Sequence, residues 1–237
     1  MNKGLFITGT DTGVGKTVIA GAIIAAFRSR GINTGAMKPV ETGCVTVGKN
    51  PYPSDGAFLK KMAQMEEPLN YITPSCFESP LSPLVASEME GREVELEKIR
   101  DHFRRFTEKY DAVIVEGIGG LLVPIRRNYY VLDLAKELDL PVVVVARASL
   151  GTINHTLLTV NYAVKEGLSI AGIIINFSRF PDGNIAESTN PNAIQQLTNI
   201  PLIGVFPYLP NLQEENLERV AVKHLDLDRL LSYIQLK

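Results

Sequence analysis

The chain has 237 residues, 45% of them hydrophobic, with 24 basic and 26 acidic side chains and a formal net charge of −2. That apolar content excludes intrinsic disorder, and the nearly balanced, interspersed charge excludes a dedicated nucleic-acid binder, which carries a basic stripe. The longest apolar runs, such as PVVVVA at 141–146, are too short for a spanning helix of about 20 residues, and no basic-then-apolar leader is present, so the reading is a soluble, cytoplasmic protein.

Short apolar runs alternate with amphipathic stretches, the pattern of βαβ units around a parallel sheet. Strands are predicted at LFIT (5–8), TGAMKP (34–39), AVIVEG (112–117), PVVVVA (141–146), IAGIIIN (170–176) and LIGVF (202–206). Most are continuously apolar, as strands buried on both faces are. Helices are predicted over about 16–30, 55–65, 94–109, 130–138, 152–166, 190–198 and 215–235. The stretch 41–92, with six prolines and little periodicity, reads as an irregular insertion serving a site. With no repeat and no Gly/Ser linker, the expectation is one domain, 1–237, of α/β class.

The first strand runs into GTDTGVGKT, residues 9–17, and a helix follows. The stretch is matched to the phosphate-binding pattern G-x-x-x-x-G-K-[S/T] through Gly9, Gly15, Lys16 and Thr17. Loop N–H groups and a helix N-terminus form an anion nest, and glycines permit the close approach that a Cβ blocks. Lys16 is expected at the β- and γ-phosphates of a nucleoside triphosphate, and the Thr17 hydroxyl on Mg²⁺. The ion needs carboxylates as well. Glu116, ending the third strand before GIGG (117–120), and Asp55, where a helix begins, are the candidates; the alternative for Asp55 is a plain N-cap. Lys38 ends the second strand, where open α/β sheets bind ligands, although Pro39 behind it also suits a solvated surface lysine.

Cys44 and Cys76 lie 32 residues apart without ligand-spaced histidines, which predicts neither a zinc site nor a disulfide framework. His102 and His224 are expected to be solvated on charged helices, and His155 has no partner pattern.

The ordered set TGTDTGVGKT, KPVETG, SD (54–55), ESPLSPLVAS (78–87), VEGIGG (115–120), LGTINHTLLT (150–159), IIIN (173–176) and PLIGVFPYLP (201–210) resembles the dethiobiotin synthetase family. The resemblance implies a P-loop NTPase-type three-layer fold with a mostly parallel central sheet flanked by helices. It implies closure of a cyclic urea on 7,8-diaminononanoate from CO₂ (or bicarbonate) and ATP, through a carbamate and a carbamic–phosphoric anhydride. Lys16 and Lys38 then bracket the transferring phosphoryl. The nucleotide lies on Thr12, Gly13, Val14, Gly15, Lys16 and Thr17, beside Gly117 and Gly119, with Asn176 reading adenine and Pro207, Tyr208 and Leu209 closing the base pocket. Thr17, Asp55 and Glu116 hold Mg²⁺. Asn211 and Gln213 are two candidates for a further nucleoside contact.

Thr42 is implied on the diamine, and Gly151, Thr152 and Asn154 of a neighbouring subunit on its carboxylate, in a homodimer. For Asn154 the alternative is a helix cap. A rival reading is a partition- or cell-division-type P-loop switch ATPase, and a third is a small-molecule kinase. The switch proteins carry a lysine near the start of the loop, where this chain has Asp11.

Overall fold

The computed structural model describes residues 3–48 and 50–236. Strand β1 (Gly4–Gly9) is buried at every position, and the loop after it delivers the chain into α1 (Lys16–Ser29). α1 is apolar on nearly every side because it packs against the sheet and two further helices at once. β2 (Thr34–Met37) is followed by β3 (Val40–Thr42), the hairpin β4 (Val45–Val47) and β5 (Asn50–Tyr52), and α2 (Ser54–Ala63). Next come α3 (Leu69–Ile72), β6 (Ser75–Phe77), α4 (Pro83–Glu90), α5 (Leu96–Lys109) and β7 (Ala112–Gly120). β8 (Pro124–Arg126), β9 (Tyr129–Tyr130) and α6 (Val131–Glu137) lead to β10 (Val142–Arg147) and α7 (Thr152–Lys165). The chain closes with β11 (Ile170–Asn176), α8 (Ile185–Leu197), β12 (Leu202–Phe206), α9 (Glu214–His224) and α10 (Leu227–Ser232).

Six strands form one parallel sheet in the order β12-β11-β10-β1-β7-β2. Helices flank it: α1 packs with α2 and α9, while α7 packs with α8 and against β10 and β11. The chain leaves β1, skips the neighbouring β7 position and returns at β2, so the order reverses around β1. Crevices for ligands open at the carboxyl ends of strands beside such a reversal. Among the described residues no helix is long and apolar enough to cross a membrane.

Several sequence expectations need correction. β2 stops at Met37, because Pro39 lacks the N–H to continue the ladder, and β7 runs three residues further, to Gly120. α8 begins at Ile185, not 190: Asn184 accepts a hydrogen bond from the Glu187 N–H at 3.1 Å, and Pro191 sits inside the helix. The helix expected over 215–235 is two, because Leu225 breaks out to bridge Gly204 beside β12.

The stretch 41–92 is not irregular. β3 pairs in parallel with β6, and β4 pairs with β5; residue 49 lies outside the described residues. That β3–β6 pairing carries Cys44 and Cys76 together as a disulfide, with a Cα–Cα separation of 6.4 Å, which sequence spacing did not reveal. His102 is half-buried rather than solvated. Its ring stacks on Tyr71 at 4.2 Å between centroids, and burial lowers its pKa. His224 is half-buried as well, whereas His155 is exposed.

Candidate active site

Counting along the loop corrects the motif match. Five residues, not four, separate Gly9 from Gly15, so the loop is one residue longer than the pattern. Its course depends on glycine: Gly13 and Gly15 have φ of 73° and 91°, in the left-handed region. A Cβ on Gly15 would also strike the Asn176 side-chain amide. That amide, from the end of β11, donates to the Val14 carbonyl at 2.8 Å and ties the loop to the sheet. Val14 itself is buried and is the one residue of Thr12–Thr17 that does not line the cleft over this loop.

A cleft of about 640 Å³ opens over this loop. Its lining brings together Thr12, Gly13, Gly15, Lys16, Thr17, Lys38, Thr42, Asp55, Glu116, Gly119, Asn176 and Pro207–Leu209. The loop after β1, Lys38 just past β2, Asn176 ending β11 and Pro207 after β12 come from strand carboxyl ends, and Glu116 from the middle of β7. Tyr208, in that lining, meets the exposed Phe180 ring edge-on, 6.0 Å between centroids.

The floor of the cleft is a cluster of buried charge. Lys38 is only 3% exposed, which removes the surface-lysine reading. Its ammonium donates to Glu116 Oε1 at 2.6 Å and to the Gly117 carbonyl at 3.2 Å, and lies 3.3 Å from Asp55 Oδ2. Burial opposes the Lys38 charge, but Glu116 and Asp55 outweigh it and lift the ammonium above its ordinary range. Burial likewise pushes the Glu116 carboxyl up, with Lys38 opposing. Thr17 Oγ1 donates to the same Glu116 oxygen at 2.9 Å, while Glu116 Oε2 is buried without a partner. Lys16, 7% exposed, is brought down to about 8, first by burial and then by Lys38.

Asp55 is the second residue of α2, not its cap. Thr17, Asp55 and Glu116 therefore converge on a point that already attracts positive charge. Among the described residues no group of three His, Cys, Asp or Glu side chains is poised for a metal. A hydroxyl and two carboxylates instead suit Mg²⁺, which keeps waters and phosphate oxygens among its ligands.

The remaining predicted residues lie elsewhere. Gly117 touches the cluster only through its carbonyl, and neither Asn211 nor Gln213 lines the cleft. Asn211 accepts from the Gln213 N–H at 3.1 Å, and Gln213 is the N-cap of α9. Gly151, Thr152 and Asn154 are also outside the cleft. Gly151 is the N-cap of α7, so Asn154 is not; Asn154 is exposed, whereas the Thr152 side chain is buried beside Thr156.

A second cleft, of about 410 Å³, adjoins the first at Thr12, which lines both. Its walls are apolar, with Leu121, Leu122, Val123, Leu158 and Tyr162.

Sequence reasoning missed Glu41. It is 4% exposed, lines the first cleft and grips the start of α2. Burial raises its pKa, against the two backbone N–H groups that it accepts from. The signal was a carboxylate three residues after Lys38, on a strand that the composition of 41–92 concealed. Asp11, at the switch lysine position, is bound within its own chain: it accepts from the Thr12 N–H at 2.7 Å and pairs with Arg147.

A family model described as an AAA domain matches residues 3–216. Among solved structures, the septum site-determining protein MinD with Mg-ADP from Pyrococcus horikoshii is similar at 19% identity and TM-score 0.56, over 94% of this chain and 88% of that one. A ParA family ATPase from Chlorobium tepidum is similar at 16% identity and TM-score 0.51, over 97% and 92%. At those identities the likeness shows the P-loop fold alone. An ATP-dependent dethiobiotin synthetase BioD from Thermodesulfovibrio yellowstonii is 46% identical over 98% of this chain and 100% of its own length. The protein of the same name from Bacillus subtilis strain 168 is 42% identical over 98% and 99%. Near-complete coverage at that identity, together with the residues gathered in the cleft, means that the chain belongs to the ATP-dependent dethiobiotin synthetase family.

Proposed function

We propose that this protein is a cyclo-ligase that carboxylates 7,8-diaminononanoate and closes the ureido ring of dethiobiotin, at the expense of ATP. The observation that carries the reading is Lys38, a charged side chain 3% exposed on the floor of a phosphate-binding cleft. One amine of the substrate captures CO₂ as a carbamate. A carbamate oxygen then takes the γ-phosphoryl of ATP, and the second amine displaces phosphate to form the cyclic urea. Both nucleophiles belong to the substrate, so the protein's work is positioning and charge neutralisation.

The backbone of Thr12–Gly15 cradles the polyphosphate, and Lys16 and Lys38 neutralise the phosphoryl as it moves to the carbamate. Thr17, Asp55 and Glu116 hold Mg²⁺, which screens the phosphate oxygens when bound. Asn176 and Pro207–Leu209 take the base, with Gly119 beside the phosphates and Thr42 towards the diamine. The reaction runs on one domain per chain, and its dependence on ATP supports a cytoplasmic location.

We further propose a homodimer that shares its diamine sites. The apolar cleft beside Thr12 suits a hydrocarbon chain, and it is edged by Leu122 and Leu158, 54% and 63% exposed. An extended pelargonic chain holds its carboxylate roughly 8 Å from its amines, and an unpaired helix N-terminus is a ready anion site. The exposed start of α7, at Gly151 and Asn154 of the partner subunit, supplies it; buried Thr152 shapes the turn, its N–H given to the Ser149 carbonyl at 3.2 Å.

The switch-ATPase alternative lacks its lysine, since Asp11 stands there and is committed to Thr12 and Arg147. Incubation with ATP, Mg²⁺, bicarbonate and the diamine, followed by mass spectrometry, tests the reading. Ureido product must form, and phosphate must appear only when diamine and bicarbonate are both present. Phosphate release without them points to the switch, and phosphate retained on an organic product points to a kinase.

A further inference from the structure

We propose that Glu41 is a positioning residue for Mg²⁺: it anchors the first turn of α2 and thereby holds the Asp55 carboxylate at the metal position. The inference rests on the nucleotide-and-Mg²⁺ reading above. α2 has no local side-chain cap, because the residue at its N-cap is Pro53. The first N–H groups of a helix have no intrahelical partners. Glu41 supplies them from β3. Its Oε1 accepts from the Asp55 N–H at 3.0 Å and the Ser54 hydroxyl at 3.3 Å, and its Oε2 accepts from the Gly56 N–H at 3.0 Å.

The three donors fall on consecutive residues, and the middle one is Asp55. A carboxylate 4% exposed holds such a post only with its acceptors filled, and the positive end of the helix adds to the hold. Gly56 completes the fit, since a Cβ there would collide with the Thr73 hydroxyl against which α2 is pressed. The strand under Glu41 is itself secured, through the β3–β6 pairing and the Cys44–Cys76 disulfide. Asp55 is otherwise loosely held: its side chain is 41% exposed and its ion pair is with Lys38. The bond from Glu41 to its backbone is what fixes the direction in which its carboxylate points.

The test titrates Mg²⁺ by calorimetry into full-length protein holding a non-hydrolysable ATP analogue, without diamine or bicarbonate. Partners that orient metal ligands typically matter by 10–100-fold in metal affinity, so Glu41→Ala is expected to weaken Mg²⁺ about tenfold. Binding of the analogue in chelator is expected to stay within about twofold of wild type, since Glu41 touches no phosphate-loop residue. Glu41→Gln keeps one acceptor oxygen and the side-chain volume, so it is expected to fall between the two, and it decides the matter if the alanine variant does not fold. Unchanged Mg²⁺ affinity in a folded variant overturns the proposal. So does an equal loss in metal-free nucleotide binding, which marks a general structural role. Failure of the wild type to form dethiobiotin leaves the titration interpretable. Wild-type protein that binds the analogue without any linkage to Mg²⁺ overturns both readings together.

Discussion

The two clefts that meet at Thr12 are built on opposite principles. The nucleotide cleft has a charged floor made wholly within one chain, with Lys38 and Glu116 almost fully buried and joined at 2.6 Å. The neighbouring cleft has apolar walls and ends in exposed leucines. Buried charge is tolerable only when paired, whereas exposed apolar surface gathered at one mouth asks for something to cover it. The first cleft is therefore internally complete, whereas in the proposed homodimer the second is finished by substrate and a second copy.

The harshest way to break the first cleft is Lys16→Ala. Removing a preorganised charge at a developing anion costs about 10²–10³ in kcat. Steady-state turnover measures it, and retention of more than about a tenth of the wild-type rate, a loss under 1.4 kcal/mol, removes Lys16 from the phosphoryl. Lys38→Gln comes next, with about a 10²-fold loss in turnover and little change in nucleotide affinity. It also leaves Glu116 buried without its counter-charge, so the melting temperature is expected to fall as well. Equal proportional losses in turnover and nucleotide affinity would make Lys38 a plain ground-state contact.

Mixing the inactive variants Lys16→Ala and Asn154→Ala sharpens the contrast between the clefts. If each diamine site spans two chains, every heterodimer rebuilds one intact site. Random exchange of equal amounts in a two-fold dimer then restores about a quarter of wild-type activity. Flat activity, with exchange verified by native mass spectrometry, means that the second cleft is completed within one chain.

The mildest probe is pH. Lys16 is held down to about 8 by burial and by Lys38, so in the empty cleft it sheds its proton as pH rises through that value. A bound polyphosphate favours the charged form, so binding near pH 8.5 takes up a proton, and affinity falls as pH rises, by up to about tenfold per unit. Calorimetry in buffers of different ionisation enthalpy reads the uptake directly. Heats that do not depend on the buffer would show that Lys16 stays charged without ligand.

Much of this protein was legible one residue at a time. Apolar runs placed the sheet strands to within a few residues, because a strand buried on both faces has no freedom to be polar. Lys16, Thr17 and Asn176 could be named because each sits within a residue or two of a strand end or the glycine loop, and Glu116 because it is the lone acid in an apolar strand running into GIGG. Tertiary structure decided the rest. Nothing local distinguishes buried Lys38 from a surface lysine; its burial comes from Glu116, 78 residues away. Cys44 and Cys76 meet only because β3 pairs with β6, and Glu41 caps a helix that begins 13 residues later. These contacts join segments 13 to 78 residues apart, and no local pattern in one segment announces its partner. Such pairings become favourable only once the sheet has brought the segments together and excluded water from between them.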